Sequence, residues 1–313
     1  MLRRPSCTPS RPTRAPPARA RYNLRAMTAP PRFTTAEKRA LFRRLHEGGC
    51  FVIPNPWDVG SARYLQHLGF EALATTSAGA AFSMGLPDTD WALTRDPMLV
   101  HVRGIVEASA LPVNADFESG YADDPDGVAS NVRLCVETGV AGLSVEDSTG
   151  DAAAPLYPLD LAAARIRAAR DAIDASGADV RLTARAECFV AGRPDLDDAI
   201  RRLVAYASAG ADCLYAPGIR TREQIAAVVQ AVAPRPVNVL AVGPGLTVSD
   251  LAALGVRRVS VGSGLARAAW SGFLDAAREI AANGRFDIMG RAAPYAELDR
   301  FFRDDLARRP PSR

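Results

Sequence analysis

From residue 34 onward the apolar and polar positions switch repeatedly between two periods. Thr34-x-x-Glu37 has capping-box spacing and opens a helix that the pattern carries to about His46. Short β-branched or apolar runs follow at Phe51–Pro54, Ala72–Thr76, Val113–Asp116 and Gly142–Glu146. They continue at Val180–Ala184, Cys213–Ala216, Val237–Val242 and Val256–Val261. Between them lie Ala-, Leu- and Arg-rich stretches with apolar residues at i, i+3 and i+4, such as Ala162–Ala175 and Asp197–Ala209. Gly69, Gly139, Gly210 and Gly255 each close such a stretch before an apolar residue, as expected where a helix hands over to a strand.

Eight strand candidates alternating with helices predict an α/β protein, a (β/α)8 barrel over residues 33–265. A doubly wound open sheet competes, but it normally needs fewer strands, and no strand here enters a Gly-x-Gly-x-x-Gly turn. Two further helical patterns, Ala266–Asn283 and Pro294–Phe302, exceed what a barrel needs. They predict a C-terminal segment, 266–313, that covers a barrel end or packs on another subunit.

Residues 1–32 break the pattern, with seven of the 23 Pro and few large apolar groups. Such a stretch cannot bury enough surface to offset its ordering entropy, so a disordered extension is expected. It is Arg-rich and acid-free like an organelle transit segment but lacks an amphipathic period. A start at Met27 is the simpler reading, and a cytoplasmic protein the expectation.

Charge and composition narrow the function. Residues 1–26 carry seven Arg and no acid, which leaves the other 287 residues at −4 with no basic stripe for nucleic acid. No apolar run is long enough to span a bilayer. The five Cys show no C-x-x-C pair, so neither a zinc knuckle nor a disulfide framework is expected. Lys38 is the only Lys and reads as part of a solvated first helical turn, which argues against Schiff-base chemistry. With only His46, His67 and His101 available, a metal site would be built mainly from oxygen ligands.

In a barrel the reacting groups lie at the carboxyl ends of strands, where residues two apart point the same way. Asp116 and Glu118 share a phase at the end of the third strand, and Glu146 ends the fourth. Three carboxylates so placed repel one another unless a cation sits among them, and hard oxygen ligands favour Mg²⁺, with Mn²⁺ tolerated. Arg185 ends the fifth strand in phase with Glu187, as a clamp for a substrate carboxylate or as an ion pair. Cys188 points the other way and reads as a buried structural thiol. Small residues at Thr75–Ala81 would let backbone amides approach an anion. The Gly243-Pro244-Gly245 and Gly262-Ser263-Gly264 turns stand where barrels often bind phosphate, a weak signal here.

Taken together, Gly85-Leu86-Pro87-Asp88, Asp116-Phe117-Glu118-Ser119-Gly120-Tyr121, Val145-Glu146-Asp147 and Ala184-Arg185-Ala186-Glu187 resemble the isocitrate lyase and phosphoenolpyruvate mutase superfamily over about residues 33–290. The resemblance implies a barrel whose eighth helix is exchanged between subunits of a homo-oligomer, commonly a dimer of dimers. It implies Mg²⁺ held directly by Asp116 and through waters by Glu118 and Glu146. It also implies an acid near the reacting centre at Asp88, a carboxylate-binding Arg185, and an oxo-acid turn at Thr76, Ser77 and Ala78. Asn238 matches a substrate-contacting Asn in part of the family. Two departures stand out: Ser148–Tyr157 lacks both the lyase Lys-Lys/Arg-Cys-Gly-His loop and the mutase Lys and Asn, and the Asp-x-Asp is Asp-x-Glu. The expectation is a Mg²⁺-dependent carbon–carbon lyase, a decarboxylase or retro-aldol enzyme, acting on a small 2-oxo or 2-hydroxy dicarboxylate through an enolate. The alternatives are carbon–phosphorus chemistry on a phosphonopyruvate-like substrate, as mutase or hydrolase, and a non-catalytic small-acid binder.

Overall fold

The structure is a computed structural model that describes residues 33–309 except 90, 242 and 244. The expected disordered extension, the end of the seventh strand at Val242 and Pro244 of its turn lie outside the described residues. Eight parallel strands run β1 (Phe51–Ile53), β2 (Leu73–Ala74), β3 (Val113–Asp116), β4 (Gly142–Glu146), β5 (Arg181–Arg185), β6 (Cys213–Tyr215), β7 (Val237–Leu240) and β8 (Arg258–Ser260). From β2 to β8 each pairs with its sequence neighbour, and β8 returns to β1, as the alternation predicts for a (β/α)8 barrel. The remaining seam between β1 and β2 is bridged by Ala74 N donating to Pro54 O at 3.1 Å. The Asn55 side chain fastens the same seam. Its Nδ2 donates to Thr75 O at 2.8 Å, and its Oδ1 accepts from Val261 N and Gly262 N at 2.9 Å each.

Helix α1 (Thr35–Glu47) begins with the predicted capping box at Thr34 and Glu37 and plugs the amino end of the barrel. Its Phe42 is fully buried against Phe51, Ile53, Ala72, Ala74 and Ala141. Gly142 is required there, because a Cβ would stand 2.5 Å from the Phe42 ring. Lys38 corrects one expectation: it is half-buried rather than solvated, and its Nζ donates to Val106 O and Ser109 O at 3.2 and 2.5 Å. It lies at this closed end, away from the carboxyl ends of the strands.

The outer layer comprises α2 (Val59–His67), α3 (Ser77–Ser83), α4 (Arg95–Ala108), α5 (Pro125–Glu137), α6 (Leu159–Ala175), α7 (Leu196–Ser208), α8 (Arg222–Val232) and α9 (Val248–Ala253). Gly139 and Gly210 adopt φ of 91° and 104° at the exits of α5 and α7, the left-handed turn that hands each helix to its strand. Beyond the barrel run α10 (Gly264–Asn283), a 3₁₀ turn (Asp287–Arg291) and α11 (Tyr295–Arg308). α11 returns to the barrel, stacking Phe301 on Tyr64 and His67 and pairing Asp305 with Arg63 at 3.2 Å. α10 does not. Of its 20 residues only Ala266 is buried, while Trp270, Phe273 and Leu274 are exposed.

Candidate active site

A cavity of about 530 Å³ opens at the carboxyl ends of the strands. All residues singled out from the sequence line it: Thr76, Ser77 and Ala78, Asp88, Asp116, Glu118, Glu146, Arg185 and Asn238. Strand register explains the convergence, since Asp116, Glu146 and Arg185 are the last residues of β3, β4 and β5, and Glu146 pairs with Arg185.

Arg185 is the hub. Its Nη1 stands 2.8 Å from Asp116 Oδ1 and 3.0 Å from Glu146 Oε2, and its Nε donates to Glu187 Oε1 at 2.8 Å. Burial works against the charged guanidinium, yet Glu146, Glu187 and Asp116 together raise its pKa well above the ordinary value. The fork expected as a free carboxylate clamp is therefore largely committed to protein acids. Among the described residues only Nη2 lacks a protein hydrogen bond, so one nitrogen remains to meet a ligand.

Asp116 is held from the other side by α3. Ser77 N and Oγ donate to its Oδ2 at 3.0 and 3.1 Å. The Thr76 side chain caps α3 by accepting from Gly79 N at 3.2 Å. Two features of the expected oxo-acid turn thus serve the protein itself, the Ser77 amide orienting Asp116 and the Thr76 hydroxyl fixing the helix.

Glu118 lies just past β3, at φ +44°, within a tight loop that also places Tyr121 at φ +57°. Tyr121 OH donates to its Oε1 at 2.9 Å. Burial pushes the Glu118 carboxyl up to about 7, with Asp116 and Asp88 adding to the rise against the Tyr121 bond. Burial also raises Glu146 well above the usual carboxylate range, opposed by Arg185, and Glu187 moves the same way for the same reasons. Asp88 stands at the solvent-exposed rim, its pKa raised by desolvation on the cavity side and by Asp116.

Asp88, Asp116, Glu118, Glu146 and Glu187 face a cavity whose lining, among the described residues, holds only Arg185 and Arg258 as cations. Hard oxygen donors and this excess of buried acid fit a hard divalent cation. Among the described residues no three acids, histidines or cysteines already form a cage. A divalent cation bound there would keep several of its waters rather than take a full set of protein ligands. Asp116, Glu118 and Glu146 are the residues that would hold it.

Buried groups behind the site fix the strand ends. Asp147 accepts Glu187 N at 2.8 Å, Arg202 Nη1 at 3.0 Å and Tyr206 OH at 2.5 Å. Arg165, 1% exposed, lies 3.8 Å over the Tyr157 ring and donates to the carbonyls of Ser119, Ala122 (2.7 Å) and Glu146 (3.5 Å). Cys188 is buried and its thiol is pushed up to about 12 by burial, the inert thiol expected. Sequence reasoning missed Asn55, Arg165 and Arg258. Only Arg258 left a signal, being an Arg in phase with Ser260 within an apolar strand.

A (β/α)8 barrel whose mouth gathers buried acids around one arginine has the form of a barrel enzyme for small acids. Comparison with known proteins makes this specific. The family described as phosphoenolpyruvate phosphomutase matches residues 42–281. A solved Burkholderia cenocepacia J2315 chain, described only as a candidate lyase/mutase, is 51% identical with a TM-score of 0.81, covering 86% of this chain and 96% of its own. Oxaloacetate decarboxylase of Rhodopseudomonas palustris strain BisB5 is 35% identical over 62% of this chain and 68% of its own. Oxaloacetate acetylhydrolase, solved with its product oxalate, is 27% identical with a TM-score of 0.76, over 87% of this chain and 96% of its own. This chain belongs to the phosphoenolpyruvate phosphomutase family, within the phosphoenolpyruvate mutase/isocitrate lyase superfamily, and is a lyase-like enzyme.

Proposed function

We propose that this enzyme is a divalent-metal-dependent carbon–carbon lyase that decarboxylates a small 2-oxo dicarboxylate of the oxaloacetate class. The observation that carries it is a side chamber of about 350 Å³ beside Glu118 and Glu146, walled by Trp91, Asp123, Ser148, Thr149 and Asp151. Among the described residues its lining contains four carboxylates and no Lys, Arg or His. A group leaving C3 as neutral CO₂ needs no cation there, whereas phosphoryl transfer depends on cationic clamps. The relatives that act on oxaloacetate support the same choice over carbon–phosphorus chemistry.

The bond from C3 to the departing carboxylate breaks, its electron pair moves into the enolate, CO₂ leaves and C3 takes up one proton. A bound divalent cation would withdraw electron density from the 2-oxo group. Arg185 Nη2 meets the C1 carboxylate, while Asp116, Glu146 and Glu187 keep the guanidinium from turning. Acids lining the side chamber crowd the leaving carboxylate, a repulsion that disappears as CO₂ forms. Asp88, at the rim, passes a proton from solvent to C3. The exposed Trp270, Phe273 and Leu274 face of α10 suits a second copy of the chain, in keeping with a dimer of dimers.

Oxaloacetate with Mg²⁺ and the purified protein tests this, with Asp116→Asn as the control for metal-only decarboxylation. Stoichiometric pyruvate formed faster than in the control is expected. Oxalate and acetate as products would move the reaction to hydrolysis, and preferential turnover of phosphonopyruvate would overturn it.

A further inference from the structure

The inner wall of the cavity carries a run of hydrogen bonds that the carboxylate cluster does not use. Asn238 on β7 and Arg258 on β8 are register partners, 1% and 3% exposed. His46 Nδ1 lies 2.8 Å from Phe42 O, and Arg258 Nη1 lies 3.5 Å from His46 Nε2. Arg258 Nε donates to Asn238 Oδ1 at 2.9 Å, and Asn238 Nδ2 donates to Ser260 Oγ at 2.9 Å. The run therefore connects the plug helix α1 at the closed end to the lining of the cavity.

Each link has a forced polarity. A carbonyl only accepts, so His46 Nδ1 carries the proton and Nε2 presents a lone pair. Burial and the nearby Arg258 charge keep this imidazole neutral, holding its pKa down at about 3. A guanidinium only donates, so the amide oxygen of Asn238 must face Arg258 and its NH₂ must face Ser260 and the cavity. One of those two hydrogens has no acceptor among the described residues. Arg258 itself has no carboxylate partner among the described residues, an unusual cost for a buried cation.

The geometry points to Arg258, supported by His46, as a positioning residue that locks Asn238 as a hydrogen-bond donor toward an oxygen of the bound acid. The inference rests on the small-acid reading of the cavity and deepens it. An amide free to flip would present its oxygen to an anionic ligand half of the time; the locked amide cannot.

Oxalate with Mg²⁺ is the probe, titrated calorimetrically into the full chain and into Arg258→Met, Arg258→Gln, Asn238→Ala and the Arg258→Met/Asn238→Ala double variant. Arg258→Met is expected to weaken oxalate about tenfold, the scale of one lost hydrogen bond to a charged ligand. Arg258→Gln, which can still donate to the Asn238 oxygen, should recover most of that loss, and the double variant should bind no worse than Asn238→Ala. Losses that multiply in the double variant, or Gln no better than Met at equal melting temperature, would overturn the role. Should Arg258→Met not fold, His46→Leu removes the acceptor for Nη1 and is expected to weaken oxalate several-fold; unchanged affinity would overturn it equally. A parent protein that binds oxalate without cleaving oxaloacetate sinks the lyase proposal alone. One that does not bind oxalate sinks both.

Discussion

Arg185 Nη1 lies 2.8 Å from Asp116 Oδ1, bringing together two residues 69 positions apart in sequence. The pair joins the ends of β3 and β5 across β4, and Glu146 on β4 completes it at 3.0 Å from the same nitrogen. The arginine thus holds these acids together, and among the described residues its Nη2 makes no protein hydrogen bond.

Asp116→Asn keeps the shape of the side chain but removes its charge. Divalent-cation affinity should collapse and oxaloacetate turnover fall by about 10²–10³, the usual effect of losing a preorganised electrostatic group. Calorimetric Mg²⁺ titration beside steady-state kinetics checks this. Normal kcat with normal metal binding would remove the carboxylate cluster from the chemistry.

Arg185→Lys retains one positive charge but cannot reach Asp116, Glu146 and Glu187 at once. KM should rise about tenfold or more with a smaller change in kcat, if the contact is made equally in ground and transition states. Kinetics indistinguishable from the parent would mean that Arg185 serves only as an ion-pair hub.

Metal removal offers a readout independent of activity. Exhaustive chelation should abolish turnover, and Mg²⁺ at one hundred times its Kd should stabilise the fold by about 2.7 kcal/mol. Full activity after chelation, or a melting temperature indifferent to Mg²⁺, would contradict the proposed cation site.

His46 sets an acid limit on stability. Its folded pKa of about 3 lies below the unfolded value of 6.5, so below pH 6.5 the unfolded chain binds the proton first. Stability from this group is therefore complete above pH 6.5 and falls by up to about 1.4 kcal/mol per pH unit toward pH 3. Urea melts at pH 7 and pH 5 should show a smaller drop for His46→Gln than for the parent. Equal drops would refute the linkage.

Arg165→Met strips two loop carbonyls and the last carbonyl of β4 of their buried donor. A loss of about 3 kcal/mol is expected from the unsatisfied acceptors, together with loosening of the loop that carries Glu118. Chemical denaturation measures the first effect. A variant as stable as the parent would show that these carbonyls find other partners.

The barrel was legible in the local pattern, because strand and helix periods and glycine-terminated helices are properties that each segment displays alone. Strand phase likewise placed Asp116, Glu146 and Arg185 at neighbouring strand ends, whereas Glu118 lies past β3 in a tight loop at φ +44°, so the turn and not a shared strand phase brings it to the cluster. Other features depend on groups brought together from distant segments. Asn55 fastens the seam between β1 and β2 by reaching Thr75, Val261 and Gly262, none of them its sequence neighbour. Lys38 looked solvated because its own helix turn is polar, yet it bonds carbonyls at the end of α4. Arg185 looked like a free clamp, and only the positions of Asp116, Glu146 and Glu187 show how little of it is free. Periodicity reports which face of an element is buried. It cannot report which partner a buried polar atom finds, because that partner comes from another part of the chain.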